Sequence, residues 1–214
     1  ELTHGNTKVL DESNTTIKRL LRLVQVASNP KLIDDKYLGL SAKEIALDEL
    51  LNDILQKNEK AIVWSIFTMN IDSLCARYKK YKAVKITGKM SVADRNKSVE
   101  AFKNGDAQIL FATPQSAKEG LTLTVANNAI FYERGFNLDD YLQAQDRIHR
   151  ISQKKECYIY NLMIENSIDR WIDVLLKAKQ NAAHLAQGDI DRCEYNFIAD
   201  YSFADIVKKI LKND

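Results

Sequence analysis

Between residues 143 and 153 the chain reads Gln143-Ala144-Gln145-Asp146-Arg147-Ile148-His149-Arg150-Ile151-Ser152-Gln153. A helix opening near Asn137-Leu138-Asp139-Asp140 would set Gln143, Arg147 and Arg150 at i, i+4 and i+7, with one amide and two guanidiniums on a single face. Leu138, Tyr141, Leu142 and Ile148 would then face inward. Two planar, permanently charged forks on one stripe suit a phosphate chain that gains charge during reaction. The same spacing also serves a solvated helix carrying an Asp146–Arg150 pair, and the residues alone leave both readings open. His149 has no carboxylate or second histidine at ligand spacing, so it reads as a packing or contact residue rather than a general base.

Two further segments carry chemistry because each follows a short apolar run. Thr87-Gly88-Lys89-Met90-Ser91 combines a glycine, a lysine and a helix start, where amides and the helix dipole favour an anion. An ordinary strand-to-helix turn needs the same glycine and cap. Thr113-Pro114-Gln115-Ser116-Ala117-Lys118-Glu119-Gly120-Leu121-Thr122-Leu123 offers hydroxyls and backbone amides, or is a plain surface loop. Ser65 ends another apolar run and is either a contact residue or a buried strand serine. Arg134 either touches a ligand or is solvated.

The elements that must position these residues alternate in type. Residues 14–27 read as an amphipathic helix stopped near Asn29-Pro30. Ser41-Ala-Lys-Glu44 is a capping-box pattern opening a helix to about Lys57, and Ser91-Val-Ala-Asp94 has the same form for a helix ending near Asn104-Gly105. Short apolar runs at 61–67, 83–87, 108–112, 129–133 and 157–163 read as strands. Helices fall between them at about 70–81, 91–104 and from 137, with a last one from Asn166 or Ser167 to about Ala183. Strands alternating with helices imply an α/β domain with a central, mostly parallel sheet joined by right-handed crossovers. In such sheets ligands collect outside the carboxyl ends of the strands, where the marked segments fall. The expected division is a helical lead-in over 1–58, an α/β lobe over 59–183 and a C-terminal extension over 184–214. In the extension Phe203, Ile206, Val207, Ile210 and Leu211 recur at helical spacing and are expected to dock on the same lobe.

Composition narrows the classes. A formal charge of +2 over 214 residues is too small for overall basicity to bind nucleic acid, so any such contact is local. Three cysteines, Cys75, Cys157 and Cys193, are widely spaced, which argues against a disulfide scaffold or zinc site and for a reducing compartment, cytoplasmic or nuclear. No apolar run approaches the roughly 18–20 residues that cross a bilayer, so no membrane partner is expected. The chain starts at Glu1 rather than Met, as an excised segment would. It has no Gly-x-x-x-x-Gly-Lys-Ser/Thr loop and no acidic strand end to hold magnesium, so it is not expected to assemble a nucleotide site alone.

Taken in order from Ser28-Asn29-Pro30 to about Trp171, these segments resemble the C-terminal lobe of the Swi/Snf-type DNA translocases of helicase superfamily two. The block Gln-x-x-Asp-Arg-x-His-Arg-x-x-Gln is similar to the last helicase motif, the 112–123 segment to the fifth, and Ser65 to the fourth. The resemblance implies a RecA-like domain that completes an ATP site begun on another lobe. It implies that Arg147 and Arg150 act as arginine fingers and that Gln143, Gly120 and Asp146 lie beside the nucleotide. Ser65, Gly88, Lys89, Ser91, Thr113 and Ser116 would touch the DNA backbone. ATP and Mg2+ would be held mainly by the missing N-terminal lobe, which becomes a partner together with duplex DNA. No metal site is expected within this chain. The chain departs from the family at Ala117-Lys118, where many members carry Gly-Gly, and at Phe136, where relatives carry Trp. An RNA helicase lobe is the nearest alternative, but such lobes usually end the last motif in Gly-Arg rather than Ser152-Gln153. A non-catalytic interaction module is another, and a restriction or phage motor segment a third.

Overall fold

The computed structural model describes residues 2–4, 7–9, 16–119 and 121–188. Two short strands, β1 (Leu2–His4) and β2 (Thr7–Val9), form an antiparallel ribbon that the sequence patterns did not announce. Helices α1 (Thr16–Ser28) and α2 (Ala42–Gln56) follow, with a 3-10 turn at Pro30–Leu32 between them. The capping box on α2 is complete. The Glu44 amide donates to the Ser41 hydroxyl, and the Ser41 amide donates to the Glu44 carboxylate at 2.7 Å.

The rest alternates as expected: β3 (Ala61–Trp64), α3 (Thr68–Arg77), β4 (Val84–Ile86), α4 (Val92–Lys103), β5 (Ile109–Ala112), β6 (Asn128–Phe131), α5 (Leu138–Gln145), β7 (Tyr158–Asn161) and α6 (Ile168–Gln187). The five strands β3 to β7 make one sheet in the order β4-β5-β3-β6-β7, and every pairing is parallel. Period-two alternation divides its side chains between two cores. Ile62, Trp64, Leu110 and Phe131 pack on one face with Phe102 of α4 and Ala144 of α5. Val63, Phe111 and Ile130 pack on the other with Leu47, Leu51 and Ile54 of α2 and Ile71 and Leu74 of α3. Trp64 is thus a core residue. A third cluster joins α1 to α6 through Val24, Ile168, Ile172 and Leu176, with Phe136 against it in a packing role.

Two expectations shift. The helix expected over 70–81 ends at Arg77 and continues as a 3-10 turn, Lys79–Tyr81. On α4, Ser91 caps the Asp94 amide, but the return arm is missing. Asp94 is one methylene short of a glutamate, and its carboxylate takes the Ser91 hydroxyl proton instead. Ser91→Ala should therefore lower stability by about 1 kcal/mol in denaturant unfolding, the usual value of an N-cap. The amphipathic stripe at 203–211 lies outside the described residues. No helix among the described residues is long and apolar enough to cross a membrane.

A buried ionic cluster pins the lead-in helices and α6 to the sheet. Lys43 on α2 meets Asp169 on α6 at 2.8 Å, both almost fully buried, and Asp169 also accepts from the Ile164 amide. Burial pulls the Lys43 pKa down, against the attraction of Asp169. Beside them Glu133, just past β6, is fully buried. It accepts from the Ser65 and Ser28 hydroxyls and from the Ile66 and Phe67 amides. Burial pushes the Glu133 carboxyl up, opposed by the Ser65 hydrogen bond and the Lys43 charge.

Candidate functional site

Because all five strands are parallel, the segments following β3, β4, β5 and β6 emerge at one edge of the sheet. There the chain forms two neighbouring groups of residues, with α5 packed on the 3-10 turn Pro114–Glu119.

In the first group the β4–α4 connection meets the β5 loop. The Thr113 amide and the Ser116 hydroxyl both donate to the Ile86 carbonyl, and Ser116 also donates to the Thr113 carbonyl at 2.7 Å. Arg95 of α4 donates to the Ser116 carbonyl, tying the two loops together. Gly88, Lys89 and Ser91 are exposed at the tip, and Thr113 is half-buried. Gly88 has no positive φ, and a Cβ there would meet nothing within 4 Å. The turn therefore does not require a glycine, contrary to its reading in the sequence.

Ser65 and Ser116 need correction as ligand-facing hydroxyls. Ser65 is completely buried at the end of β3, where its hydroxyl serves Glu133 and the Phe67 carbonyl. Ser116 is buried with its proton committed to backbone carbonyls. Both brace the loops from which other groups project. Arg134 is neither solvated nor open to a ligand. It is buried, paired with Asp173 of α6 at 2.8 Å and set over the Tyr141 ring.

The second group holds the 143–153 run against residues 121–126. The helix carrying Gln143 stops at Gln145, so Gln143, Arg147 and Arg150 do not share one helical face. The Arg147 and Ile148 amides donate three residues back, to Ala144 and Gln145, and the chain tightens into turns. The orphaned Gln143 carbonyl is taken by Arg147 Nε at 2.9 Å. Arg147 is only 7% exposed, and its guanidinium also approaches the Leu121 carbonyl at 3.5 Å, while the Leu123 amide donates to the Arg147 carbonyl. Burial and the neighbouring Arg150 charge pull its pKa down.

Arg150 is only half-buried. Its Nε donates to the Asp146 carbonyl and its Nη1 to Thr122 Oγ1 at 2.7 Å, so it turns to the 121–126 segment rather than to the Asp146 carboxylate. Gln143 is half-buried, and Asp146 and His149 are exposed. Gly120 lies outside the described residues.

Sequence reasoning missed two structural agents. Gln153 donates from Nε2 to the Thr124, Ala126 and Ile148 carbonyls and accepts the Lys154 and Lys155 amides at Oε1, which clamps the end of the run onto 124–126. Glu133 was the other. Its signal was a pair of charges, Glu133-Arg134, directly after a wholly apolar strand. Among the described residues no group of three His, Cys, Asp or Glu side chains is placed to hold a metal. A cavity of about 440 Å3 lies beside the first group, lined by Ile66, Phe67, Gln115, Arg134, Asn137 and Tyr141 among others.

Comparison with known proteins agrees with this architecture. Residues 42–152 match the family described as helicase conserved C-terminal domain. The chain is 30% identical over 159 residues to the chromatin-remodeling ATPase INO80 of Candida albicans, covering 73% of this chain and 12% of that protein. It superposes on the C-terminal part of the Fun30 ATPase domain with a TM-score of 0.60 at 29% identity, over 76% of this chain and 54% of the other. It superposes on the SWI2/SNF2 ATPase core of Sulfolobus solfataricus, solved with double-stranded DNA, with a TM-score of 0.66 at 21% identity, over 87% and 42% of the two chains. The chain thus spans about an eighth of the length of that curated relative. The all-parallel sheet, the ordered segments at its carboxyl edge and these likenesses lead to one assignment: the chain belongs to the helicase conserved C-terminal domain family, as a RecA-like C-terminal lobe of the Swi/Snf type.

Proposed function

We propose that this chain is the C-terminal motor lobe of an ATP-dependent double-stranded DNA translocase. Its share of the chemistry is to bring Arg150 to a triphosphate bound by a preceding N-terminal lobe. The observation that carries the reading is the placement of Arg150. Its guanidinium reaches the lobe surface, held at Nε and Nη1 by groups of the same lobe. A fork oriented in advance stabilises charge as it develops, at little cost in reorganisation. Arg147 takes a different part from the second finger that the spacing implied. Buried and bonded to the Gln143 and Leu121 carbonyls, it sets the distance between the 121–126 segment and the turn that bears Arg150. Gln143, Asp146 and Gly120 stand on the nucleotide side of this arrangement.

ATP and Mg2+ would be held mainly by the N-terminal lobe, and bound nucleotide supplies the phosphoryl group whose transfer drives motion. The half-exposed guanidinium fits that role, and the described residues give Mg2+ no ligand cluster of their own. Duplex DNA would lie against the exposed Gly88-Lys89-Met90-Ser91 tip and Thr113 through its phosphates, without base readout. Ser65 and Ser116 support those loops from within. The working place would be the nucleus or the cytoplasm. We divide the chain into a lead-in over 1–58, the lobe over 59–183 and an extension over 184–214.

The test is ATP turnover by the chain alone and by the two-lobed parent, with duplex DNA or single-stranded RNA added. The isolated chain should not turn over ATP, and the parent should be stimulated by duplex DNA. Lys89→Ala in the parent should weaken DNA binding evenly across sequences and reduce the salt slope by about one phosphate's worth. Stimulation by RNA alone, or turnover by the isolated chain, would overturn the reading.

A further inference from the structure

We infer that Ile151, with Val125 beside it, is the apolar contact on which the second RecA-like half seats when the two halves close, an inference that rests on the motor reading above. Ile151 is the most exposed large hydrophobic side chain among the described residues, fully solvated, and it lies next to Arg150 in the run that most specifies the family. Leaving one β-branched apolar side chain in water is ordinary for a surface. This one is displayed on a turn that is held rigidly. The Gln153 carboxamide makes five hydrogen bonds across it, to the carbonyls of Thr124, Ala126 and Ile148 and from the amides of Lys154 and Lys155. The Gln153 amide also closes the turn onto the Arg150 carbonyl at 2.8 Å.

The same clamp fixes the neighbouring turn that carries Val125, itself exposed, and Thr124 Oγ1 lies 3.5 Å from Ser152 Oγ. Two apolar side chains thus project from stitched turns that also hold Arg150 through Thr122. An occupant must reach this patch and Arg150 at once, and a separate small ligand for Arg150 would leave the apolar pair uncovered. The N-terminal half of the parent meets that requirement, because most of a relative's length lies outside the region this chain covers. Seating on Ile151 would couple the burial of apolar surface to arrival of the guanidinium, so that closure and charge stabilisation occur together.

The experiment uses the two-lobed parent with donor and acceptor dyes on the two halves. Ile151→Asp should reduce the closed population seen with a non-hydrolysable ATP analogue and lower DNA-stimulated turnover by roughly tenfold to a hundredfold, the scale of one buried aliphatic side chain. Affinity for duplex DNA without nucleotide should be unchanged, and Ile151→Leu should restore both closure and turnover. Because the side chain packs on nothing in this lobe, folding should be untouched, and the melting temperature checks this. Arg150→Ala serves as the separating control: it should close normally and not turn over. Normal closure and turnover in Ile151→Asp, with Arg150→Ala dead, would remove this inference alone. Full turnover in Arg150→Ala would remove the motor reading beneath it.

Discussion

Arg150→Ala in the two-lobed parent should lower DNA-stimulated ATP turnover by about 10³–10⁵-fold while leaving ATP affinity within a few-fold of the parent value. The size follows from what the guanidinium does. It meets charge that appears only as the phosphoryl group transfers, so its loss falls on turnover rather than on binding. The substitution leaves the fold intact, because Arg150 is half-exposed and gives up only its bonds to the Asp146 carbonyl and Thr122 Oγ1. Arg150→Lys should recover little, since an ammonium cannot hold both of those bonds and a phosphate fork at once. Arg147→Ala should behave differently, reducing turnover together with thermal stability, because that buried side chain braces the Gln143 and Leu121 carbonyls. Single-turnover kinetics on the pair of variants would separate the roles, and equal, stability-neutral losses would refute the distinction.

The second large effect is on stability. Lys43→Met removes one partner of the Lys43–Asp169 pair and strands a carboxylate that is almost fully buried. Breaking such a pair costs roughly 3–5 kcal/mol, a large share of the stability of an ordinary domain. Denaturant unfolding should show that loss, and melting should fall by on the order of 10 °C. Lys43→Met combined with Asp169→Asn should recover at least half. The stranded charge is gone, and an asparagine oxygen still accepts the Ile164 amide. If the double variant is no better than the single one, the loss comes from packing rather than charge.

How much of this was written in the sequence depends on the kind of signal. The five strands could be read because each is a short apolar run between helical periods, and the all-parallel order follows from alternation. The end of α5 could not be read. Neither glycine nor proline marks it, and the helix yields to tertiary bonds: the Arg147 carbonyl receives the Leu123 amide while the Arg147 side chain takes the Gln143 carbonyl. Periodicity therefore continued through Arg150 where the backbone does not. The serines Ser65 and Ser116 sit at the right places in the chain, yet their partners, Glu133 and the Ile86 carbonyl, come from distant segments. A hydroxyl turned inward and one turned outward look alike in a sequence. The same holds for Lys43, which looks like a helix-surface lysine until Asp169 is found beside it.

The placement of β3 at the centre of the sheet has a consequence for biogenesis. Its two neighbours, β5 and β6, both arise later in the chain, so on the ribosome the wholly apolar segment Ala61–Trp64 emerges before either flank exists. At about 5–20 residues per second it stays unpaired for several seconds until Asn128–Phe131 is made. A nascent chain stalled or cleaved before that point would present an open hydrophobic strand, a strong substrate for chaperones and a seed for aggregation.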